Sequence, residues 1–461
     1  MSNSNRPPLG LDARGGPVQV FFSPTGARRR PVIDRAEGIY MWDSDGRRYI
    51  DATSGPVACN LGHGDPQVIE ALVAQARRVC FAFPSIFESE ANAALADLLA
   101  DLAGPGLERA FFVSGGSEAN ESAIKLARQY AVAKGEAQRR TIIARDPSYH
   151  GATLGALAVS GDPVSDAMFG PLMRIMPKVP APFTYRVPAG HTAESWAEAA
   201  ADALERQIIA QGPETVLAFI MEPIGGLSTG ALVAPDAYYR RVRQICDRYG
   251  VLLIYDEIMC GAGRTGAFLA AHHWPAARPD IVTLAKGISA GYAPMGVMLA
   301  PRDMVAAVAD SGGFAHAYTY FTNPLTCAVG LAVLRQVVAR KLTENAACRG
   351  VYLRRCLEAL MARSPIVGDV RGKGLLMAIE LVADKQSKAM IPLPRMAPYR
   401  IAELAFERGL LQYVRRTANG KYGDWLMITP PLIVTDAQID EIVGLLGESL
   451  DAFTAELHGN A

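Results

Sequence analysis

Residues 251–257 read VLLIYDE and residues 281–287 read IVTLAKG. Each stretch begins with a continuous apolar run of strand length, which is typical of a strand that is covered on both faces in a parallel sheet. The first run ends in an acid, Asp256, and the second ends in an amine, Lys286. Because ligands of open α/β sheets bind at the carboxyl ends of the strands, we expect both side chains to lie in one crevice.

Two interpretations of Asp256 and Lys286 compete. An aspartate at a strand end commonly forms a turn or caps a helix, and a lysine after a strand commonly carries a solvated charge. Together, the two residues favour an aldehyde cofactor, because such a cofactor needs a lysine amine for a Schiff base and an acid that keeps its pyridine ring protonated. The pair therefore predicts pyridoxal phosphate as the cofactor.

The residues around this pair resemble the signature of a known family. The tetrads YDEI at 255–258, GRTG at 263–266 and LAKG at 284–287 are together similar to those of class III pyridoxal-phosphate-dependent aminotransferases, and especially of omega-amine:pyruvate transaminases. The resemblance implies that Asp256 pairs with the pyridine nitrogen and that Lys286 carries the internal aldimine. It also implies that Ile258 contacts the cofactor.

The resemblance covers nearly the whole chain and implies an α/β fold, namely fold type I of the pyridoxal-phosphate-dependent transferases. We expect a large domain with a mostly parallel seven-stranded sheet and a smaller α+β domain built from both termini. The predicted boundaries are 1–75 for the N-terminal segment of the small domain, 76–340 for the large cofactor-binding domain and 341–461 for the C-terminal part of the small domain. Two C-terminal strands are expected to join an N-terminal hairpin at residues 38–51.

Composition and charge argue against several classes of function. The 461 residues carry 46 basic and 46 acidic side chains, so there is no electrostatic reason to expect nucleic acid or an acidic membrane surface as a partner. Seven scattered cysteines without a Cys-x-x-Cys spacing argue against a disulfide framework and against a zinc site, and we expect no metal. The same cysteine pattern favours a reducing compartment, so we expect a cytoplasmic location. Residues 1–10 contain no apolar signal-peptide core and no later segment is apolar for long enough to span a membrane, so neither secretion by that route nor a membrane span is expected.

A glycine turn at residues 114–117 (SGGS) lies between a strand-like run and a helical pattern. Such a turn leaves backbone N–H groups of the helix N-terminus unpaired, with the positive end of the helix dipole behind them, and this arrangement binds phosphate. The resemblance assigns Gly116 and Ser117 to the cofactor phosphate. From the residues alone, a capped turn and a hydrolase nucleophile elbow stay open, although Ala119 replaces the final glycine of the elbow.

Three further candidate residues follow predicted strands. Tyr149 and His150 come shortly after an apolar run, and an aromatic ring in this place can lie flat on a planar cofactor. The resemblance assigns the stacking role to Tyr149, with His150 beside it, and places Glu222 near the phenolic oxygen of the cofactor.

Residues 154–188 are rich in glycine and proline and show no clear period, so we expect an irregular surface insertion there.

Departures from the family pattern concern the substrate side of the site. Val57 replaces the bulky aromatic residue of several amine-converting members, and with Pro56 beside it we expect a wider pocket. Leu227 lies where ornithine and aminobutyrate enzymes have a gate glutamate. Met427 replaces the carboxylate-binding arginine of members that act on α-amino acids, so a fixed carboxylate clamp is not expected there. Methionine at this position is also consistent with simple strand packing.

A mobile arginine serves the amine:pyruvate members, swinging in for a keto-acid carboxylate and out for an apolar amine. Arg415 and Arg416 both lie in the corresponding region, and an insertion-like stretch at 417–423 leaves the choice between them open. We favour Arg416. Arginine suits this role because its planar fork binds a carboxylate through two bonds while its long stem can move. A solvated basic pair ahead of a loop is the competing interpretation.

The segment FAHAYTYFTNPL, residues 314–325, resembles the family loop that reaches into the active site of the partner subunit. Thr319 matches the threonine that binds the partner's cofactor phosphate, whereas Thr322 stands where glycine is common, so the local backbone is expected to differ. The resemblance thus predicts a homodimer with shared active sites, or a tetramer built from it. A surface turn before a helix is the alternative.

The resemblance predicts a transaminase that moves an amino group from a primary amine or an omega-amino compound to a keto acid by a ping-pong mechanism through Lys286. Small-molecule amines and keto acids are the expected partners, with pyruvate as the expected acceptor. Three other reactions on the same site stay open, namely decarboxylation, amino-group migration and epimerisation. A non-catalytic protein of the same fold is the remaining alternative.

Overall fold

A computed structural model describes residues 31–459 of the chain. Its strands are β1 (Ile33–Glu37), β2 (Tyr40–Asp43), β3 (Arg48–Asp51), β4 (Arg109–Val113), β5 (Thr141–Asp146), β6 (Lys178–Pro180), β7 (Val216–Met221), β8 (Leu252–Asp256), β9 (Ile281–Ala285), β10 (Gly296–Ala300), β11 (Val367–Lys373), β12 (Leu376–Leu381), β13 (Leu410–Leu411), β14 (Tyr413–Val414) and β15 (Asp424–Ile428).

The α-helices alternate with these strands over most of the chain. They are α1 (Ser54–Val57), α2 (Pro66–Arg78), α3 (Glu90–Ala103), α4 (Gly116–Ala133), α5 (Leu154–Ala158), α6 (Pro163–Phe169), α7 (Ala193–Gln211), α8 (Asp236–Tyr249), α9 (Arg302–Asp310), α10 (Pro324–Ala339), α11 (Leu342–Arg363), α12 (Ala397–Glu407) and α13 (Asp436–Gly459). Between residues 31 and 459, none of them is both long and apolar enough to cross a membrane.

Seven strands form the central sheet, in the order β4-β10-β9-β8-β7-β5-β6. The strands from β9 to β6 run parallel to one another, and β10 pairs antiparallel with both β9 and β4. Every residue of β7, β9 and β10 is buried, as expected for strands that have helices on both faces. The predicted α/β fold with a mostly parallel seven-stranded sheet is therefore confirmed.

The order of the strands brings the acid and the amine to the same edge of this sheet. β8 ends at Asp256, and β9 ends at Ala285, directly before Lys286. The two strands are parallel neighbours, with Asp256 opposite Thr283. Because β8 and β9 run in the same direction, the segments that follow these strands both lie at the crevice where ligands of α/β proteins bind.

Two four-stranded sheets contain the strands nearest the ends of the described chain, in the orders β1-β2-β3-β13 and β11-β12-β15-β14. Among the described C-terminal strands, β13 joins the N-terminal hairpin, running parallel to β3. The prediction that two C-terminal strands would join this hairpin was wrong. The reason is that β12 is fully buried and pairs on its two edges with β11 and β15, so the other strands form a sheet of their own.

Residues 154–188 are more regular than the sequence indicated. They contain α5, α6 and β6, and β6 pairs in parallel with β5 at the edge of the central sheet. The expectation of an irregular surface insertion was wrong. The strand has three residues, and one of them is Pro180, which is tolerated because the strand lies at the edge of the sheet. A strand of this length shows no readable period.

Two helical glycines of the C-terminal part differ in their surroundings. A Cβ atom at Gly350, in α11, would lie 2.5 Å from backbone atoms of Gly374, so the two backbones are in direct contact. A Cβ atom at Gly444, in α13, would meet nothing within 4 Å. The same substitution is therefore expected to have opposite effects at the two positions.

We expect Gly350→Ala to lower the free energy of unfolding by roughly 1–3 kcal/mol, because overpacking forces the backbone to move. Gly444→Ala should raise it by about 0.5–1 kcal/mol, because alanine is the better helix former. Urea unfolding of the two variants and the parent protein measures both changes. Equal effects of the two substitutions would contradict the contact between α11 and Gly374.

Candidate active site

A cavity of about 700 Å³ opens at the carboxyl edge of the central sheet. All the predicted cofactor residues except Thr319 line it, namely Gly116, Ser117, Tyr149, His150, Glu222, Asp256, Ile258 and Lys286. The other lining residues are Ala58, Ser114, Gly115, Gly151, Leu227, Ser228, Met259, Ala285, Ser289, Gly291, Ala293, Pro294, Met295, Tyr413, Val414 and Arg415. The carboxyl edge of the sheet and the strand β14 thus enclose one site.

Asp256 is buried, with 4% of its surface exposed, and three donors surround its carboxylate. His150 Nδ1 lies 2.9 Å from Oδ2, and Asn120 Nδ2 donates to the same oxygen at 2.8 Å. The backbone N–H of Ile258 donates to Oδ1 at 3.0 Å. Since a carboxylate only accepts hydrogen bonds, His150 carries its proton on Nδ1 in this pair. These donors fix the orientation of the carboxylate.

Asn120 contacts the candidate site and was missed by the sequence analysis. It is fully buried on α4, and its Oδ1 accepts a hydrogen bond from Thr283 Oγ1 at 2.8 Å. Its Nδ2 donates to the backbone carbonyl of His150 at 2.5 Å as well as to Asp256. The available signals were a polar residue beside Ala119 and Ala123 on the apolar face of α4, and a threonine inside an otherwise apolar strand.

Lys286 lies beyond the end of β9, with its side chain in the cavity. Burial lowers the pKa of this amine below its ordinary value, and the negative charges of Asp256 and Glu222 oppose that shift. Within residues 31–459, no hydrogen bond engages its Nζ. The backbone of Lys286 is left-handed, with a φ of 46°, which is uncommon for any residue other than glycine.

Glu222 follows β7 and is also buried. Its Oε1 accepts a hydrogen bond from the backbone N–H of Gly226 at 2.9 Å, whereas Oε2 has no partner among the described residues. Burial raises the pKa of this carboxyl, and the nearby Asp256 raises it further. The buried Nε2 of His150 also has no described partner. Two polar atoms on cavity-lining residues are thus available to a bound molecule.

The turn before α4 has the shape of an anion site. α4 begins at Gly116, so the first N–H groups of the helix have no carbonyl partner within it. A Cβ atom at Gly116 would lie 2.8 Å from Ile258 Cδ1, and one at Gly151 would lie 2.7 Å from Ser117 Oγ. Ser117 Oγ already accepts a hydrogen bond from Ala152 N at 3.0 Å, which leaves its hydroxyl proton free to donate.

These features fit pyridoxal phosphate. The helix N-terminus with Ser117 suits the phosphate, and the ring of Tyr149, which is 39% exposed, is available for stacking on a planar group. Asp256 suits the pyridine nitrogen, and the unengaged amine of Lys286 suits the aldehyde. Glu222 offers an unpartnered carboxyl oxygen in the same cavity.

The two candidate arginines differ in their surroundings. Arg415 lines the cavity, and its Nη2 lies 2.5 Å from Asp162 Oδ2. Arg416 does not line it: its Nε and Nη2 bind both oxygens of the buried Asp424 at 2.9 and 2.5 Å. The preference for Arg416 over Arg415 is therefore corrected. Two neighbours on an extended chain point to opposite sides, and the sequence does not say which side faces the cavity.

The predicted substrate residues Pro56 and Val57 do not line the cavity either. Pro56 is exposed, and Val57 is buried in the hydrophobic core with a φ of 65°. The next residue, Ala58, lines the cavity in their place. The reason is the bend at Gly55, where the backbone leaves helical geometry and turns the side chain of Val57 into the core.

The two other departures from the family pattern have clear positions. Leu227 lines the cavity, so an apolar side chain lies where some family members have the gate glutamate. The carbonyl of Leu227 accepts a hydrogen bond from Trp425 Nε1 at 2.7 Å. Met427 is fully buried in β15 and belongs to the hydrophobic core. Its position matches the strand-packing interpretation.

Thr319 is exposed and lies outside the cavity of its own chain. In the same loop, Thr322 has a φ of 50°, and its N–H donates to the carbonyl of Phe112 at 3.0 Å. Whether this backbone differs from that of relatives with glycine at this position stays a prediction. Thr322 adopts the left-handed conformation that glycine prefers, and this hydrogen bond holds it there.

The fold and the site together define a pyridoxal-phosphate-dependent transferase of fold type I. A family model described as aminotransferase class-III matches residues 23–450, and the chain belongs to this family of enzymes. The sequence prediction of a class III aminotransferase is thus confirmed.

Relatives with assigned reactions include the putrescine–pyruvate aminotransferase of Pseudomonas aeruginosa, which is 33% identical over 92% of this chain and 91% of its own length. The diaminobutyrate–2-oxoglutarate transaminase of Halomonas elongata is 34% identical over 92% of this chain and 91% of its own length. Among solved structures, a fourfold mutant of a thermostable omega transaminase from Pseudomonas jessenii has a TM-score of 0.88 at 31% identity, covering 94% of this chain and 97% of its own.

We expect the rate at which the apoenzyme takes up pyridoxal phosphate to rise with pH to a midpoint below 10.5, the ordinary pKa of a lysine. The reason is that only the neutral amine attacks the aldehyde, and burial favours the neutral amine. Asp256→Asn removes a negative charge that favours the ammonium form, so the midpoint should move further down.

Stopped-flow absorbance at a series of pH values measures this midpoint. Asp303→Asn, at an exposed position in the first turn of α9, is the control and should leave the midpoint unchanged. A midpoint at or above 10.5, or an upward shift in the Asp256→Asn variant, would contradict the assignment of Lys286 as the buried amine.

Proposed function

We propose that this protein is an omega-transaminase that moves an amino group from a primary amine or an omega-amino compound to a keto acid with one carboxylate, with pyruvate as the expected acceptor. The observation that carries the proposal is the position of Arg415. It lines the same cavity as Lys286 and Asp256, together with the apolar side chains of Leu227 and Met259. A single arginine among apolar side chains suits a pocket that binds an apolar amine in one half-reaction and the carboxylate of a keto acid in the other.

The residues have distinct roles in this proposal. Bound pyridoxal phosphate supplies an aldehyde for the substrate amine and a ring that accepts the electron pair left on the substrate carbon. Asp256 would keep the ring nitrogen of the bound cofactor protonated, since opposite charges about 4 Å apart attract by ~4 kcal/mol at an effective dielectric of ~20. His150 and Asn120 hold Asp256 in place. Lys286 Nζ would take a proton from the substrate carbon and deliver it to the cofactor in the first half-reaction, and would move a proton in the opposite direction in the second.

The choice of acceptor rests on the charges of the cavity. Among its described lining residues, the cavity has one lysine, Lys286, and one arginine, Arg415. Lys286 is needed for the cofactor, so Arg415 is the cation that remains for a substrate carboxylate. The second carboxylate of a dicarboxylic keto acid would therefore find no further lysine or arginine among the described residues that line the cavity. The name of the P. aeruginosa relative agrees with pyruvate, whereas that of the H. elongata relative specifies 2-oxoglutarate, so both acceptors belong in the test.

We expect the wild-type holoenzyme to form one amino acid from the keto acid for each amine consumed, and Lys286→Ala to abolish this turnover, because no other described lysine lines the cavity. Chromatography of both products measures the stoichiometry, with ω-amino acids, diamines and arylalkyl amines as donors and with pyruvate or 2-oxoglutarate as acceptor. Lys385→Ala, at an exposed position, is the matched control and should retain full activity.

Appreciable transamination by Lys286→Ala would contradict the role of this lysine. Release of carbon dioxide, amino-group migration or epimerisation, without formation of an amino acid from the acceptor, would indicate one of the other reactions that the same cofactor supports.

We infer in addition that two copies of the chain share their active sites. Thr319 is exposed and lies away from the cavity of its own chain. A patch of exposed apolar side chains comes from the same loop and from the segment before α3, with the rings of Tyr320 and Phe81 in edge contact at 6.1 Å and with Phe83, Ile86 and Phe87 beside Phe81 in the sequence. Contiguous apolar surface of this kind is typical of a protein interface.

A mixture of two inactive variants tests this sharing. We expect Lys286→Ala and Thr319→Ala, denatured and refolded together, to regain activity at limiting cofactor, because the Thr319→Ala subunit keeps its lysine and receives an intact threonine from its partner. With random pairing, about a quarter of the sites would be restored. Activity no higher than the mean of the two separate variants would contradict shared sites.

A further inference from the structure

Arg415 is held at the cavity by an acid that the proposed reaction does not use. Its Nη2 lies 2.5 Å from Oδ2 of Asp162, which comes just before α6. About a third of the Arg415 side chain is exposed, whereas the Asp162 side chain is 5% exposed. The acid is thus fixed in the protein, and the arginine is the partner that has freedom to move.

Asp162 keeps two other donors when Arg415 is disregarded. Val164 N donates to its Oδ1 at 3.2 Å, and Ser165 Oγ donates to its Oδ2 at 2.9 Å. A buried carboxylate that loses its only partner is strongly destabilised, and hydrogen-bond donors that remain in place reduce this cost. Departure of the arginine therefore leaves a carboxylate that is still stabilised.

The backbone around Asp162 is anchored to the cofactor side of the site. Gly161 and Ser148 exchange two backbone hydrogen bonds, both of 3.1 Å, and Ser148 directly precedes Tyr149. A Cβ atom at Gly161 would lie 2.2 Å from the carbonyl oxygen of Arg145, so this segment is packed against β5. Asp162 consequently has a fixed position relative to the predicted stacking ring.

The neighbouring arginine, Arg416, forms an ion pair that differs from that of Arg415 in its burial and in its number of contacts. Arg416 binds Asp424 through two nitrogens, and both side chains are buried, with 7% and 1% exposed. In the Arg415 pair, a single nitrogen makes the contact and the guanidinium lies at the cavity. The remaining nitrogens of Arg415 form no hydrogen bond with the described residues, so they are free to bind another carboxylate.

We propose that Asp162 is a specificity-determining residue that competes with the acceptor carboxylate for Arg415. With Arg415 on Asp162, the cation is neutralised and the cavity takes an amine without a carboxylate. With a keto acid bound, Arg415 pairs with the substrate, and Val164 and Ser165 continue to hold Asp162. This inference rests on the proposed role of Arg415 in binding the acceptor carboxylate.

The competition sets the affinity for monocarboxylates. When only a fraction of the molecules has the arginine free, the apparent dissociation constant of a carboxylate equals the intrinsic constant divided by that fraction. Removing the charge of Asp162 raises the fraction and tightens binding. Asparagine is a suitable replacement because it caps a helix as well as aspartate does and can keep accepting from Val164 N.

The experiment is calorimetric titration of the holoenzyme with propanoate, which carries one carboxylate and neither an amino nor a keto group. Asp162→Asn should lower the dissociation constant by roughly three- to tenfold. Arg415→Leu should weaken binding, and adding Asp162→Asn to Arg415→Leu should change nothing further. Asp303→Asn, which removes an exposed acid in the first turn of α9, is the control and should leave the constant unchanged.

Kinetics give a second readout. In the Asp162→Asn variant, the KM of the keto acid should fall by a similar factor, while the KM of an amine without a carboxylate should stay the same. If Asp162→Asn does not fold, Asp162→Ser, which also caps a helix but carries no charge, replaces it. Unchanged or weaker propanoate binding in the folded variant, or an equal effect in the Arg415→Leu background, would overturn the proposal.

The titration is independent of turnover, so the two proposals fail in different ways. If no pair of amine and keto acid is converted, the proposed function fails. The propanoate titrations of the single and double variants of Asp162 and Arg415 still decide whether Asp162 competes for Arg415. If conversion is observed but these titrations show no coupling between the two residues, the transaminase stands and the competition is excluded.

Discussion

The carboxylate of Asp256, buried at the end of β8 and surrounded by hydrogen-bond donors, is the interaction on which the rest of the site depends. A charge in this position is tolerated only because His150, Asn120 and the N–H of Ile258 satisfy it. These donors come from the loop after β5, from α4 and from the chain that follows β8 itself. Through Thr283, the same network continues to β9, the strand that leads to Lys286. One buried acid thus links α4, the loop of Tyr149 and the strand β9 through hydrogen bonds.

The cavity also shifts the pKa values of its buried carboxyl and its buried amine in opposite directions. Burial raises the pKa of Glu222 and lowers the pKa of Lys286, so both groups move toward their neutral forms. A neutral amine is a base and a nucleophile, and a neutral carboxyl is a hydrogen-bond donor. Opposite shifts of this kind within one cavity are typical of catalytic sites, where groups must exchange protons near neutral pH.

The sequence predicted best what depends on local pattern. The runs before Asp256 and Lys286 are continuously apolar because their strands are covered on both faces, and the turn at Gly116 precedes a helix, so these features were readable from the residues. Features that depend on packing were not. Asn120 looked like one polar residue in an amphipathic helix, and its role arises only where α4 crosses the ends of β8 and β9. Arg415 and Arg416 are adjacent, and a different buried acid decides the position of each: Asp162, far away in the sequence, for Arg415, and Asp424 for Arg416. The domain boundaries, the cytoplasmic location and the shared site of Thr319 stay predictions, because nothing in a single chain tests them.

The left-handed backbone of Lys286 has a consequence for the stability of the chain. A residue with a side chain loses about 1–2 kcal/mol in this conformation, and glycine avoids that loss. Position 286 is therefore one where a residue without an amine would fold more easily than the lysine that chemistry requires.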